Sequence, residues 1–294
     1  VTFLQMGNHE LISGCKGLYE NGFSYTGQKT TYAVWQSNSW RIVSLDTGRL
    51  CYKTDASGKR DVLRGETDAP MPDEVVDWLV NTVKLGDPND KRGILLLSHH
   101  QPYDAFSASY MGAAKQLNKI LPAGKQVVWL FGHNHALALY SKMQLEDTDF
   151  VIYPRLIGIG GFPNILEHPK TTSAIVAYDQ RVFQEIPDLG GIKQKIGFNG
   201  YAKIGISGNI MEVQYLTNDC IDNDCMKGLS STNATMIAAE TFTADLATGN
   251  VDQTSIYVGP ELVKINEPAD EVSSVSCIPA AALAGRNSSL HHFD

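Results

Sequence analysis

Apolar runs bounded by turn residues recur along the chain: Val1 to Met6, Tyr32 to Gln36, Trp40 to Leu45, Gly93 to Ser98, Val127 to Phe131 and Phe150 to Tyr153. Their length and punctuation predict strands. Between them, Pro72 to Leu85 places Val75, Val76, Leu79, Val80 and Val83 at helical spacing behind an acidic first turn. A second helix is predicted from about Ser107 to Leu121, where Pro122 and Gly124 stop it. Strands alternating with helices predict an α/β layered fold.

After Gly160 the helical period fades. Ala174 to Tyr178, Gly200 to Ile206 and Ile210 to Leu216 alternate as strands, the last two joined through Ser207-Gly208-Asn209 as a hairpin, which predicts a second sheet. From about Thr217 the chain turns to Asn, Asp, Ser, Thr and Ala, with two modest strand candidates near Thr235 to Thr243 and Ser255 to Ile265. The expected organisation is therefore a domain over residues 1–216 and an extension of uncertain order over 217–294.

Composition narrows the function classes. With 43% hydrophobic and 19% charged residues, the 294-residue chain is that of a globular protein able to bury a sizeable core. No apolar run reaches the ~18 to 20 residues of a membrane span, so none is expected. A net charge of −8 argues against broad binding to nucleic-acid backbone. The five cysteines, Cys15, Cys51, Cys220, Cys225 and Cys277, have no zinc-ribbon spacing and are too few for a disulfide framework. Asn233-Ala-Thr and Asn287-Ser-Ser match glycosylation sequons, and Cys220 and Cys225 would close a loop if the protein were secreted. The compartment is left open between cytoplasmic and secreted, and so is the oligomeric state.

Three predicted strands run into histidine-bearing loops: Gly7-Asn8-His9-Glu10, His99-His100-Gln101-Pro102 and Gly132-His133-Asn134-His135. Five of the eight histidines lie there. If the strands share a sheet and a direction, their C-terminal ends gather these side chains at one edge, where active sites of α/β sheets lie. Imidazoles and an Asn carbonyl oxygen suit Zn, Fe or Mn better than Ca. The two histidines of Gly-His-Asn-His, two apart on extended backbone, would share a face and reach two neighbouring ions. Two ions ~3.5 to 4 Å apart can hold both the attacking and the leaving oxygen of a phosphoryl displacement.

The ordered trio Gly7-Asn8-His9-Glu10, Ser98-His99 and Gly132-His133-Asn134-His135 resembles the last three of five signature motifs of the calcineurin-like metallophosphoesterases, relatives of the purple acid phosphatases. The similarity extends over roughly residues 1–216. It implies a four-layer sandwich of two mixed β-sheets flanked by helices, and hydrolysis of phosphate mono- or diesters at a dinuclear centre of Fe, Zn or Mn. It also implies Asn8, His99 and His133 as ligands of one ion, His135 as a ligand of the other, His9 as the catalytic contact to phosphate and Glu10 as its orienting neighbour.

The family's upstream Asp-x-His and Gly-Asp motifs have no counterpart in position, and no Asp in the 294 residues is followed two places later by His. Gly86-Asp87-Pro88-Asn89-Asp90 imitates the second motif but follows a helix, and reads as a surface turn. The expectation is an N-terminally incomplete enzyme. The alternative is a degenerate member kept as a non-catalytic binding module, and a weaker one is a mononuclear hydrolase of other esters.

Blander readings stand beside these. His100, turned away from His99 by strand alternation, would support the site or line its mouth, or be plainly structural. Arg155 is a candidate phosphate contact, and Tyr103 and Asp104 follow a motif loop. Asp46 reads as a turn cap. Gly158-Ile159-Gly160-Gly161 reads as a tight turn at the site rim. His168, His291 and His292 read as structural, and the acidic run from Asp219 to Asp224 as a solvated loop.

Overall fold

The computed structural model describes residues 2–50, 53–54, 60–61, 68–161, 164–187, 193–218, 234–266 and 291–292. The readings made for Cys51, Cys220, Cys225, Cys277, the asparagines of both sequons and the acidic run lie outside these residues.

The larger sheet is mixed. Its main strands are β1 (Ala33–Gln36), β2 (Trp40–Ser44), β3 (Gly93–Ser98), β4 (Gln126–Phe131), β5 (Leu137–Tyr140), β6 (Val151–Ile157) and β7 (Ile175–Tyr178). They lie in the order β7-β5-β6-β4-β3-β2-β1, with Val263–Lys264 beside β7 and His291–His292 beside β1. The central strands β2, β3, β4 and β6 are parallel, so their C-terminal ends face one edge. β5 runs antiparallel to both β6 and β7.

Buried on both faces, the parallel strands read as continuous apolar runs rather than alternating ones. Leu96, Val127 and Trp129 join one core with α1 (Asp73–Asn81) and α2 (Gly112–Asn118), through Val75, Leu79, Ala113, Ala114 and Leu117. Leu95, Val128 and Leu130 point the other way, into a core shared with a four-stranded antiparallel sheet. That second sheet is β8 (Gly200–Ser207), β9 (Ile210–Asn218), β10 (Ala234–Ala244) and β11 (Val251–Val258), in chain order. Met211, Val213, Tyr215, Ile237 and Phe242 are its inward residues. The described residues thus supply helices, a mixed sheet and a second sheet.

Several expectations are corrected. Residues 2–7 form no strand. The ladder positions they would need are filled, because β2 pairs directly with β3. The segment is held instead by Gln5, whose Nε2 donates to Ser44 Oγ, Leu45 O and Leu97 O, each at 3.0 Å. The expected boundary at residue 216 falls inside β9; β10, from the expected extension, pairs with β9, and β11 pairs with β10 in the same sheet.

Both helices are shorter than their period suggests. α1 ends at Asn81, followed by Lys84 in the left-handed region (φ 54°), a usual way of reversing the chain after a helix. α2 begins only at Gly112, because Asp104, Ser107 and Ser109 spend their hydrogen bonds on the loop before it. Side-chain bonds of this kind compete with helix formation. No helix among the described residues is long and apolar enough to cross a membrane.

Candidate metal centre

Three chain segments meet beyond the C-terminal ends of β3 and β4. The first is a 3-10 turn, Asn8–Ser13, opened by Gly7 and closed by Gly14 in the left-handed region (φ 65°). Glu10 Oε2 accepts the Gly7 N–H at 2.7 Å, so the expected orienting residue acts on the loop backbone. Gly7 must be small here, since a Cβ would sit 2.8 Å from His99 Cε1.

His99 and His100 follow β3 directly. Their turn is fixed by a relay in which Trp129 Nε1 donates to Ser98 Oγ and Ser98 Oγ donates to the His100 carbonyl, both at 2.8 Å. His133, after β4, has φ 65°, a strained conformation for a side chain of this size. The Gly-His-Asn-His backbone is therefore not extended: Asn134 N–H bonds back to Gly132 O and Ala136 N–H to Asn134 O, both at 2.9 Å. Asn134 is held by Asp104, whose Oδ2 accepts its amide at 2.8 Å.

His99 Nε2 is the point of convergence, 3.0 Å from Asn8 Oδ1 and 3.2 Å from His133 Nδ1. Two donors at ~2.0 to 2.1 Å on one tetrahedral ion stand about 3.4 Å apart, so these spacings fit a shared ion. His133 Nε2 is 3.3 Å from the Tyr110 hydroxyl. Coordinating nitrogens of His99, His100 and His133 all lie within 4.8 Å of one another. Neutral imidazole is the form that ligates. Burial, and then the neighbouring charges of His133, His9 and His135, push His99 down to about 3. Burial, and then His99 and His133, push His100 down to about 2.

The remaining predicted residues fall as follows. His9 is exposed beside Asn8, and His135 is half-buried against Gly161, outside the three-imidazole group. His100 is not turned away as strand alternation implies, because the backbone leaves the strand after Ser98; its ring centroid is 4.8 Å from that of His99 and 4.5 Å from that of His133.

Arg155 is corrected outright. It is 1% exposed between the two sheets, where Nε donates to Glu240 Oε1 at 2.7 Å and Nη2 pairs with Glu240 Oε2. It has no route to a phosphate. Asp46 is buried and accepts from the Thr31 hydroxyl and the Arg49 N–H, a cap of the turn after β2.

Sequence reasoning did not single out Thr47, which touches His100, or Tyr110, which lay within a run read as helix. A cavity of about 520 Å³ lies elsewhere, lined by Ser37, Asn38, Asp87 and Arg92 near the start of β3, and holds none of the histidines.

Residues 1–137 match the family described as calcineurin-like phosphoesterase, which supports the metallophosphoesterase superfamily for this part of the chain. A search of curated proteins finds no match.

Proposed function

We propose that this protein hydrolyses phosphate mono- or diesters at a dinuclear metal centre. The observation that carries the reading is the convergence of Asn8 Oδ1 and His133 Nδ1 on His99 Nε2 at 3.0 and 3.2 Å, from three segments far apart in sequence. Asn8, His99 and His133 would hold one ion and His135 would contribute to a neighbouring one. When bound, such ions supply Lewis acidity toward the phosphoryl oxygens and a nucleophile at neutral pH.

His9, exposed on the same turn as Asn8, is free to meet the substrate, where it stabilises phosphate charge or gives a proton to the leaving oxygen. Glu10 fixes that turn. Tyr110 and Asp104, both from the loop after β3, hold the His133 loop. In the four-layer arrangement the resemblance implies, further helices would cover the outer face of the second sheet.

The three-imidazole group contains no carboxylate among the described residues, which favours the alternative of a member kept as a binding module. Metal stoichiometry together with turnover of a generic monoester and diester separates the two. His9→Ala should cut turnover strongly and leave metal content nearly intact, whereas His133→Ala should lose the metal. The reverse pattern would overturn the assignment of roles. Metal bound without any turnover would leave the binding module.

A further inference from the structure

We propose that His100 is a third imidazole ligand of the ion held by His99 and His133, an inference that rests on the metal-dependent reading above and adds a donor outside the motif positions. His100 is 2% exposed. Its backbone N–H donates to Thr47 Oγ1 at 3.0 Å, and its ring Nδ1 lies 3.3 Å from the same oxygen. Its Nε2 is buried with no hydrogen-bond partner.

A buried polar atom left unpaired costs about 1 to 3 kcal/mol, so it calls for a partner. With Nδ1 anchored on the threonine hydroxyl, the tautomer protonated at Nδ1 presents Nε2 as a lone pair. Metal-binding histidines are oriented in this way, one ring nitrogen on the ion and the other on a hydrogen-bonding oxygen. The space around the ring is filled by His99, His133 and Tyr110 at centroid distances of 4.8, 4.5 and 5.0 Å. The group with which Nε2 can share an ion is therefore the one already converging on His99.

The 4.8 Å limit on the spacing of the three imidazoles is on the order of 1 Å above the ~3.4 Å of donors on one tetrahedral ion, so His99, His100 and His133 would have to close by that much to hold one together. Three nitrogens with Asn8 Oδ1 make a set suited to Zn²⁺ or Co²⁺ rather than Ca²⁺ or Mg²⁺.

The test is equilibrium dialysis of the full chain against Zn²⁺, and the visible spectrum of bound Co²⁺, for the parent, His100→Phe, His100→Gln and His133→Ala. Phe keeps a ring in the packed position and removes both nitrogens; Gln covers the case in which Phe does not fold. Every folded His100 variant should bind Zn²⁺ about 10- to 100-fold more weakly and shift the Co²⁺ spectrum, with the melting temperature of the metal-free protein held or raised. A ring that merely packs would not move the spectrum. Affinity within twofold of the parent in a folded His100 variant, beside loss of metal in His133→Ala, overturns the proposal and leaves the functional reading standing. Unchanged affinity in His133→Ala, or a parent that takes up neither ion, sinks that reading and this proposal with it.

Discussion

Glu240 sits on β10 and Arg155 on β6, so their ion pair fastens the two sheets to each other at a point 1% exposed on both sides. Each carboxylate oxygen accepts twice: Oε1 from Arg155 Nε and the Tyr215 hydroxyl, both at 2.7 Å, and Oε2 from Arg155 Nη2 and Gln253 Nε2. Burial opposes the guanidinium charge, and the adjoining carboxylate more than offsets it, holding Arg155 above its ordinary value. Glu240→Gln keeps the volume but replaces one accepting oxygen with a donating NH₂. Two of the four contacts become donor against donor, and a full charge stays buried without a counter-ion. Breaking a pair of this kind costs about 3 to 5 kcal/mol, whereas replacing both partners with apolar residues of similar volume is often neutral. Urea unfolding of Glu240→Gln, Arg155→Met and the double variant Arg155→Met with Glu240→Met measures this. The single changes should each lose about 3 to 5 kcal/mol, and the double variant should lose much less than their sum. A loss below about 1 kcal/mol in Glu240→Gln, or strict additivity in the cycle, would refute the account.

Two further outcomes follow from the site. A Cβ at Gly158 would overlap the Asn134 carbonyl, backbone against backbone. Gly158→Ala should therefore displace the His133 loop, lowering stability by about 1 to 3 kcal/mol and Zn²⁺ affinity with it; dialysis and urea titration report both, and unchanged metal affinity would show that the loop does not depend on this contact. In the metal-free protein, His99 and His100 stay neutral when folded, with values of about 3 and 2, but take up protons near 6.5 when unfolded. The unfolded state then binds more protons at acid pH, so stability is full above pH 6.5 and falls as pH drops toward the folded values. The slope is up to about 1.4 kcal/mol per pH unit for each histidine. Between pH 6.5 and 5, before carboxylates titrate, the urea midpoint should fall steeply and about half as steeply in His100→Phe, and a flat profile would contradict the burial of these rings.

The parts legible in the sequence are those set by short-range pattern. β3 and β4 were readable because strands buried on both faces are largely apolar, and their histidine loops because each run ends at a turn signal. What was not legible depends on partners far away in the chain. Val1 to Met6 has the composition of a strand, but β2 and β3 already occupy each other's edges. β10 reads weakly because it is built largely from Ala and Thr, and it carries a buried Glu240 whose partner lies 85 residues earlier. Arg155, seen alone beside a glycine-rich turn, invited a role at the site for the same reason. His100 was misread because alternation holds only while the backbone stays extended, and it turns at the end of β3.

The same nonlocal contacts explain how histidines on separate loops come to share a point. A Cβ at Gly48 would lie 2.5 Å from Met6 O, so the turn after β2 presses on the backbone just ahead of Asn8. Gly7 presses in turn on the His99 ring, and Gly158 on the carbonyl between His133 and His135. The Gly7 contact joins two of the segments that carry ligands, Gly48 and Gly158 brace those segments from the turns after β2 and β6, and Asp104 joins His100's loop to Asn134. The left-handed backbone of His133 costs on the order of 1 to 3 kcal/mol and persists because these neighbours over-determine it. Folding thus meets the cost of ordering the ligands, and an arriving ion meets less of it. The coupling runs both ways, since an ion at 100 times its dissociation constant stabilises the folded chain by about 2.7 kcal/mol. Metal should accordingly raise the urea midpoint of the parent and restore little to Gly158→Ala, where the displaced loop no longer positions His133.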